Sequence, residues 1–164
     1  MFIELESLFN GGIDSIPVNC EFDFSKEEFS GVFPFTTPVK LCGEIRNTAG
    51  VVTISAVINF DIEIVCDRCA EDAKLEFEVP MEHGLVSELN DEENDDYILV
   101  ENMKLDIAEL TLEDIYLALP AKLLCKEDCM GVCPTCGANL NEGPCNCKKE
   151  IDPRLEALLD LLGD

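Results

Sequence analysis

The stretch from Val51 to Val65 constrains the fold more than any other part of the chain. Val52, Ile54, Ala56, Ile58, Phe60, Ile62 and Ile64 recur at every second position. Period two marks a strand with one buried face, whereas a helix stripe needs apolar residues three and four apart. A strand of that length needs neighbours, and the flanking segments offer them. Ile16 to Phe24 alternates around Val18, Cys20, Phe22 and Phe24; Lys40 to Arg46 is a second candidate, followed by a hairpin turn at Asn47-Thr48-Ala49-Gly50. Leu75 to Val86 repeats the alternation through Leu75, Phe77 and Val79, while Leu8-Phe9-Asn10-Gly11-Gly12 reads as a turn. The pattern predicts an α+β fold built on an antiparallel sheet over residues 13–87, with a curl that can approach a barrel. Cys66 to Cys69 falls at the turn between its two longest strands.

A different pattern follows the sheet. Glu88 to Asp96 holds six acids among nine residues, and the segment 88–103 is expected to be a solvated acidic loop. Asp106-Ile107-Ala108-Glu109 is a capping box that opens a helix. Ala108, Leu112, Ile115, Tyr116 and Leu119 supply its apolar face, and Pro120 ends it. Asp152-Pro153-Arg154-Leu155 opens a short terminal helix carrying Leu155, Leu158, Leu159 and Leu162. The expected division is an acidic sheet domain with its helix over 1–120, then a cysteine-rich module with the terminal helix over 121–164.

The 164 residues carry 11 basic and 35 acidic side chains, a formal net charge of −24. Residues 1–120 hold −21 of that and residues 121–164 only −3. A field of this sign repels phosphate backbones and anionic lipid and attracts basic proteins. The N-terminus, Met1-Phe2-Ile3-Glu4-Leu5-Glu6, has neither a basic region nor a long apolar one, and no membrane span is visible. A cytoplasmic chain is expected, and there clustered cysteines point to metal before disulfides.

Ten cysteines are present. Cys133-Pro134-Thr135-Cys136-Gly137 places two sulfurs on one turn; Pro presets the turn and Gly allows the positive φ that follows it. Cys145 and Cys147 form a C-x-C pair eight residues later, with both sulfurs on one side of an extended backbone. The expected primary site is one structural Zn²⁺ held by Cys133, Cys136, Cys145 and Cys147, with a disulfide or simple packing as the alternatives. Cys125 and Cys129 are open between joining that site, forming half of a second one, and remaining thiols. Cys66 and Cys69 are the natural other half of a second site; a metal-free turn and a redox pair are the competing readings. Cys20 and Cys42 lie at core phase and read as small buried hydrophobes.

Other chemistry is thin. His83 is the only histidine, which removes most acid–base triads, and it reads as an exposed strand-end residue. Phosphate-cradling glycine loops and basic–aromatic stacking surfaces are missing from the sequence. Neither catalysis nor a small-molecule substrate is expected; a thiol oxidoreductase using Cys66 and Cys69 is the leading enzymatic alternative.

In order along the chain stand Cys66-Asp67-Arg68-Cys69, Leu117-Ala118-Leu119-Pro120, Cys125, Cys129, Gly131 and Cys133-Pro134-Thr135-Cys136-Gly137. They are followed by Asn139-Leu140-Asn141, Cys145-Asn146-Cys147 and Asp152-Pro153-Arg154-Leu155. With these residues the chain resembles the YceD family, the large ribosomal RNA subunit accumulation proteins, over about 100 residues from Cys66 to Leu162. The resemblance implies a non-enzymatic factor in the accumulation, processing or stability of 23S ribosomal RNA. Two routes to the large subunit are then open. Lys122, Lys126, Lys148, Lys149 and Arg154 can touch RNA, or the acidic domain can hold a basic ribosomal protein or a large-subunit precursor particle. Five cations reaching phosphates would give a salt slope of only about −4 to −5. The field of net −24 opposes them, so the protein partner or the particle is expected over naked RNA.

Overall fold

The computed structural model describes residues 1–29, 31–88 and 97–147. The acidic run 89–96, Lys148, Lys149, Arg154 and the expected terminal helix lie outside the described residues. Chain order is β1 (Phe2–Glu4), α1 (Glu6–Phe9), β2 (Ser15–Phe22), β3 (Val39–Thr48), β4 (Val51–Val65), β5 (Asp72–Val86), β6 (Tyr97–Leu99), β7 (Lys104–Asp106) and α2 (Ile107–Ala118). Strands β2-β3-β4-β5-β6 form one sheet in that order, curled into a half-barrel, while β1 and β7 pair as a small antiparallel ribbon.

Strand β4 is buried as its alternation demands: Val52, Ile54, Ala56, Ile58, Phe60, Ile62 and Ile64 all face the core. Facing residues of β3, Leu41 and Ile45, are fully buried beside it, opposite Ile58 and Ile54 in register. Gly43 lies opposite Ala56, where a Cβ would collide with the Ser55 carbonyl and with Ala56. That close approach brings β3 and β4 together along the curl. At the other end of the concave face an aromatic row closes the core. Phe24 meets Phe35 edge-on at 6.2 Å, Phe35 meets Phe60 at 6.0 Å, and Phe60 stacks on Phe77 at 5.2 Å.

Several expectations change. The sheet is not wholly antiparallel, because β6 joins β5 in parallel, Gly84 opposite Tyr97 through Val86 opposite Leu99. Residues 97–103 are therefore not part of a solvated loop: Val100 is buried and Ile98 packs against the core, which draws this segment onto the sheet. Helix α2 starts where the capping box requires, with the Asp106 carboxylate accepting from the Ala108 and Glu109 amides. Its buried face, however, is centred on Ile107, Leu110, Thr111 and Ile115, with Ala108, Leu112 and Tyr116 at the margin. The Thr111 hydroxyl donates to the Ile107 carbonyl at 2.6 Å, so that polar residue enters the core satisfied. Leu8 is fully buried on the short helix α1, ahead of the Asn10–Gly12 turn.

Cys42 is exposed on the outer face and Cys20 is only half-buried; β2 is an edge strand, and the odd-numbered residues of β3 take the core. His83 is neither exposed nor at a strand end. It sits inside β5 with Nε2 at 2.8 and 3.0 Å from the Asp114 carboxylate, tying β5 to α2. Among the described residues no helix is long and apolar enough to cross a membrane.

Candidate metal centre

Two tight turns with the same backbone carry the C-x-x-C pairs. In the first, the Ala70 amide donates to the Cys66 carbonyl at 2.9 Å and the Cys66 amide to the Glu71 carbonyl at 2.8 Å. In the second, Gly137 donates to Cys133 at 2.8 Å and Cys133 to Ala138 at 2.8 Å. The residue after each second cysteine takes positive φ, Gly137 at 73° and Ala70 at 58°. Such a turn aims backbone amides at the first sulfur of the pair.

Each turn meets a second cysteine pair. Cys66, Cys69, Cys125 and Cys129 form one tetrad and Cys133, Cys136, Cys145 and Cys147 another; within each, the sulfurs lie within 4.8 Å of one another. The first tetrad spans the molecule. The β4–β5 turn supplies Cys66 and Cys69, and the segment after α2 supplies Cys125 and Cys129, with Cys66 and Cys129 sulfurs 3.8 Å apart and those of Cys69 and Cys125 3.6 Å apart. A tetrahedral zinc with Zn–S bonds of about 2.3 Å puts its sulfurs about 3.8 Å apart, whereas a disulfide needs about 2.05 Å. The donor set therefore fits a tetrahedral thiophilic ion and not a pair of disulfides, and all ten cysteines are free thiols. Of the places open to Cys125 and Cys129, the structure puts their sulfurs beside those of Cys66 and Cys69 and not in the other group.

Polar residues around the first tetrad fasten its two halves. The Asp67 amide donates to the Leu123 carbonyl at 3.0 Å, and the Asp67 carboxylate accepts from the Leu123 amide at 2.7 Å. The Arg68 guanidinium donates to the Cys129 carbonyl at 3.0 Å, and the Arg68 carbonyl accepts from the Val132 amide at 3.1 Å. Gly131, at φ 74°, passes so close that a Cβ there would lie 3.0 Å from the Arg68 carbonyl oxygen. The Cys125 amide donates to the Cys66 sulfur and the Asn141 side-chain amide to the Cys129 sulfur, both at 3.3 Å. Asn139 reaches Glu71 at 3.4 Å and accepts from the Asn141 amide at 3.0 Å. Asp67, Arg68 and Asn139 thus hold the ligand segments in place, while the Asn141 side chain and the Cys125, Arg68 and Gly131 backbone amides bring partial positive charge to the sulfurs. Reasoning from spacing alone did not assign them these roles. The available signal was their place between and beside cysteines, as hydrogen-bonding residues in segments too short to build a core.

The two tetrads share an electrostatic pattern. Burial pushes the Cys66 thiol up, but the amides of Cys125, Cys69 and Arg68 outweigh it and hold Cys66 down at about 6. The amides of Cys136 and Thr135 hold Cys133 at about 6 in the same way. Burial and the neighbouring thiols push Cys125 up to about 12; the hydrogen bond with Cys136, and then burial, do the same for Cys147. Without a cation, sulfurs this close cannot all ionise, so a thiolate and a thiol coexist in each group. A divalent ion removes that conflict. Either group could hold a metal ion, and four thiolates around zinc close the coordination shell with no position left for a substrate. The low value at Cys66 is what a redox reading asks for. Its access is not: Cys66 is 2% and Cys69 4% exposed, too little for attack on a bulky disulfide.

The tetrads differ in exposure. Cys66, Cys69 and Cys129 are buried in the first, whereas Cys136 is exposed and Cys145 and Cys147 are half-buried in the second. Of the expected RNA-contacting cations, Lys122 and Lys126 are exposed on the segment leading to the first tetrad, and Lys126 lies 3.9 Å from Asp128.

A half-barrel sheet bearing two all-cysteine groups, each able to hold a metal ion, defines the class of protein. The chain belongs to the YceD family: the family model described as "Large ribosomal RNA subunit accumulation protein YceD" matches residues 54–162, a span containing all eight tetrad cysteines. Among curated proteins, it is 29% identical over 131 residues to the uncharacterized protein YlbN of Bacillus subtilis, covering 77% of this chain and 75% of that one. It is 34% identical over 71 residues to an uncharacterized protein of Mycobacterium tuberculosis, a match spanning 43% of this chain but 34% of the relative. A third relative, the chloroplastic "Large ribosomal RNA subunit accumulation protein YCED homolog 1" of Arabidopsis thaliana, is 25% identical over 148 residues, 72% of this chain and 46% of that one. The match thus spans only about a third of the mycobacterial relative. No solved structure matches the chain.

Proposed function

We propose that this chain is a non-catalytic factor in large-subunit biogenesis that supports accumulation of 23S ribosomal RNA, with zinc as a structural ion in both tetrads. The observation that carries the reading is the family match over residues 54–162, which includes both cysteine tetrads and strand β5. Cys133, Cys136, Cys145 and Cys147 hold one zinc; Cys66, Cys69, Cys125 and Cys129 hold the other. On this reading residues 1–120 form the acidic sheet domain and 121–164 the module clamped to it through the first tetrad. Closed thiolate coordination leaves the zinc no catalytic position, so function rests on binding.

The partner is a basic ribosomal protein, or a precursor particle whose RNA charge is already masked. Long-range attraction to a surface of net −24 speeds encounter with such a partner and slows it with bare RNA. Lys122 and Lys126, with Lys148, Lys149 and Arg154, remain the competing RNA-contacting set. Two measurements test the reading. Cells lacking the chain should accumulate less mature 23S than 16S ribosomal RNA, restored by the wild-type chain; an unchanged ratio overturns the function. Pull-down at low salt should recover large-subunit proteins or particles that high salt releases. Tight recovery of protein-free 23S fragments, abolished by charge reversal at Lys148 and Lys149, would replace the protein partner with RNA.

A further inference from the structure

The sheet ends on an open edge. Strand β5 runs from Asp72 to Val86, but β6 covers only Gly84 to Val86. Among the described residues nothing pairs with the remaining edge, Asp72 to His83. Its backbone direction follows from one contact: the Val86 carbonyl accepts from the Val100 amide on that side. Because groups alternate along a strand, Lys74, Glu76, Glu78 and Glu82 also turn their amides and carbonyls outward. Pro80 has the same parity, the side on which a strand tolerates a missing amide. Natural sheets usually shorten, cover or bulge such an edge; this one stays in register with β4 over its full length.

The two faces flanking the edge differ in chemistry. The outer face of the β4–β5 pair carries Asp61, Glu63, Asp72, Glu76, Glu78 and Glu82, against a single cation, Lys74, which is already paired with Asp61 at 2.8 Å. On the concave face, Ala73, Leu75, Phe77 and Val79 pack on the core yet remain half-exposed. A strand added here would place alternate side chains over carboxylates and over an apolar shelf. We propose that the β5 edge from Asp72 to Glu82 receives an extended basic segment of a partner protein by strand addition, with cationic and apolar residues alternating. This deepens the proposed function and rests on its choice of a basic protein partner. Backbone pairing would supply register, and the two faces would supply selectivity. A second copy of this chain fits poorly, because its carboxylates would lie against these.

The test uses the full zinc-loaded chain and a labelled peptide of alternating lysine and valine, about ten residues long. Binding should be saturable, and the amides of Lys74, Glu76, Glu78 and Glu82 should become protected from hydrogen exchange. Glu78→Pro, which removes an outward donor and no bond to β4, should weaken binding at least tenfold, and Glu78→Gln only a few-fold. A peptide N-methylated at alternate residues checks the backbone requirement without altering the protein, and should lose binding equally. Binding that survives both Glu78→Pro and N-methylation but disappears on charge reversal is surface attraction alone and overturns strand addition. So does edge protection that grows with protein concentration without peptide, which would assign the edge to a second copy. Failure of the peptide with a normal 23S dependence in cells removes this docking mode and leaves the biogenesis role standing.

Discussion

At the scale of single residues, the two C-x-x-C turns differ in the residue that follows the second cysteine. Gly137 occupies the positive-φ position of one and Ala70 that of the other. A side chain there costs about 1–2 kcal/mol against the ordinary backbone basins, while glycine loses about 0.5–1 kcal/mol of unfolded-chain freedom. Ala70→Gly should therefore stabilise the protein by roughly 0.5–1 kcal/mol in denaturant titration. Gly131→Ala should do the opposite, because the added Cβ meets the Arg68 carbonyl at 3.0 Å on a φ of 74°; faster zinc release to a chelator would reveal it. The pH response of α2 is also set at this scale. The Met1 ammonium, then the Glu109 and Ala108 amides, hold the Asp106 carboxyl below its ordinary value against the effect of burial. A lowered folded value stabilises the protein above the unfolded carboxyl's range near about 3.9 and is lost as pH falls through the depressed value. Asp106→Asn keeps a capping side chain, so it should flatten the acid limb of the melting-temperature profile while α2 still forms. An unchanged acid limb would exclude Asp106 as the titrating group.

At the scale of elements, the first tetrad joins the β4–β5 turn to the segment after α2. Native mass spectrometry should count two zinc ions per chain. Cys66→Ser with Cys129→Ser should leave one and expose the 120–132 segment to limited proteolysis, whereas Cys145→Ser with Cys147→Ser should also leave one but keep that segment protected. Two zinc ions in either double variant would refute the ligand sets. The strands β2, β4 and β5 were legible from their period of two, β3 from its place before a hairpin turn although Gly43 interrupts its alternation, and the start of α2 because Asp106 caps it. The face of α2 was legible only in part. Residues 107–116 contain apolar side chains around much of the helix, so spacing alone did not rank Ile107 and Leu110 above Ala108 and Leu112. Strand β6 is three residues joined in parallel after an acidic run, and so short a segment has no readable period. Cys133, Cys136, Cys145 and Cys147 announced themselves by local spacing. The union of Cys66 and Cys69 with Cys125 and Cys129 was one reading among several, because choosing it needs the return of the chain past α2, which no local pattern encodes. His83 misled for the same reason: its partner Asp114 is 31 residues away.

For the whole molecule, the cysteine groups and the sheet core are separate units. The hydrophobic cluster runs from Leu5 through the sheet to Leu119, whereas the buried cysteines form their own small cluster. Chelation should accordingly abolish protection in the cysteine segment 121–147 and leave amides of β3 and β4 slow to exchange; simultaneous loss of both would mean that the metal supports the sheet as well. At fixed zinc, added salt should raise stability modestly, because it screens self-repulsion in a chain of net −24.

The span of the first tetrad also sets an order of events during synthesis. Its pairs are separated by 56 and 63 residues, while the second closes across the short segment from Cys136 to Cys145. Loop-closure entropy alone makes the long joint costlier by about 1.6 kcal/mol. A nascent chain therefore displays Cys66 and Cys69 as an incomplete claw through the making of β5 to α2, and the claw shuts only after Cys129 has emerged. The second tetrad emerges later still, at Cys147, but needs only its own short segment to close, whereas the joint also needs the β4–β5 turn to meet the segment after α2. Zinc scarcity would then strike first at maturation, yielding chains with a finished sheet and an untethered tail.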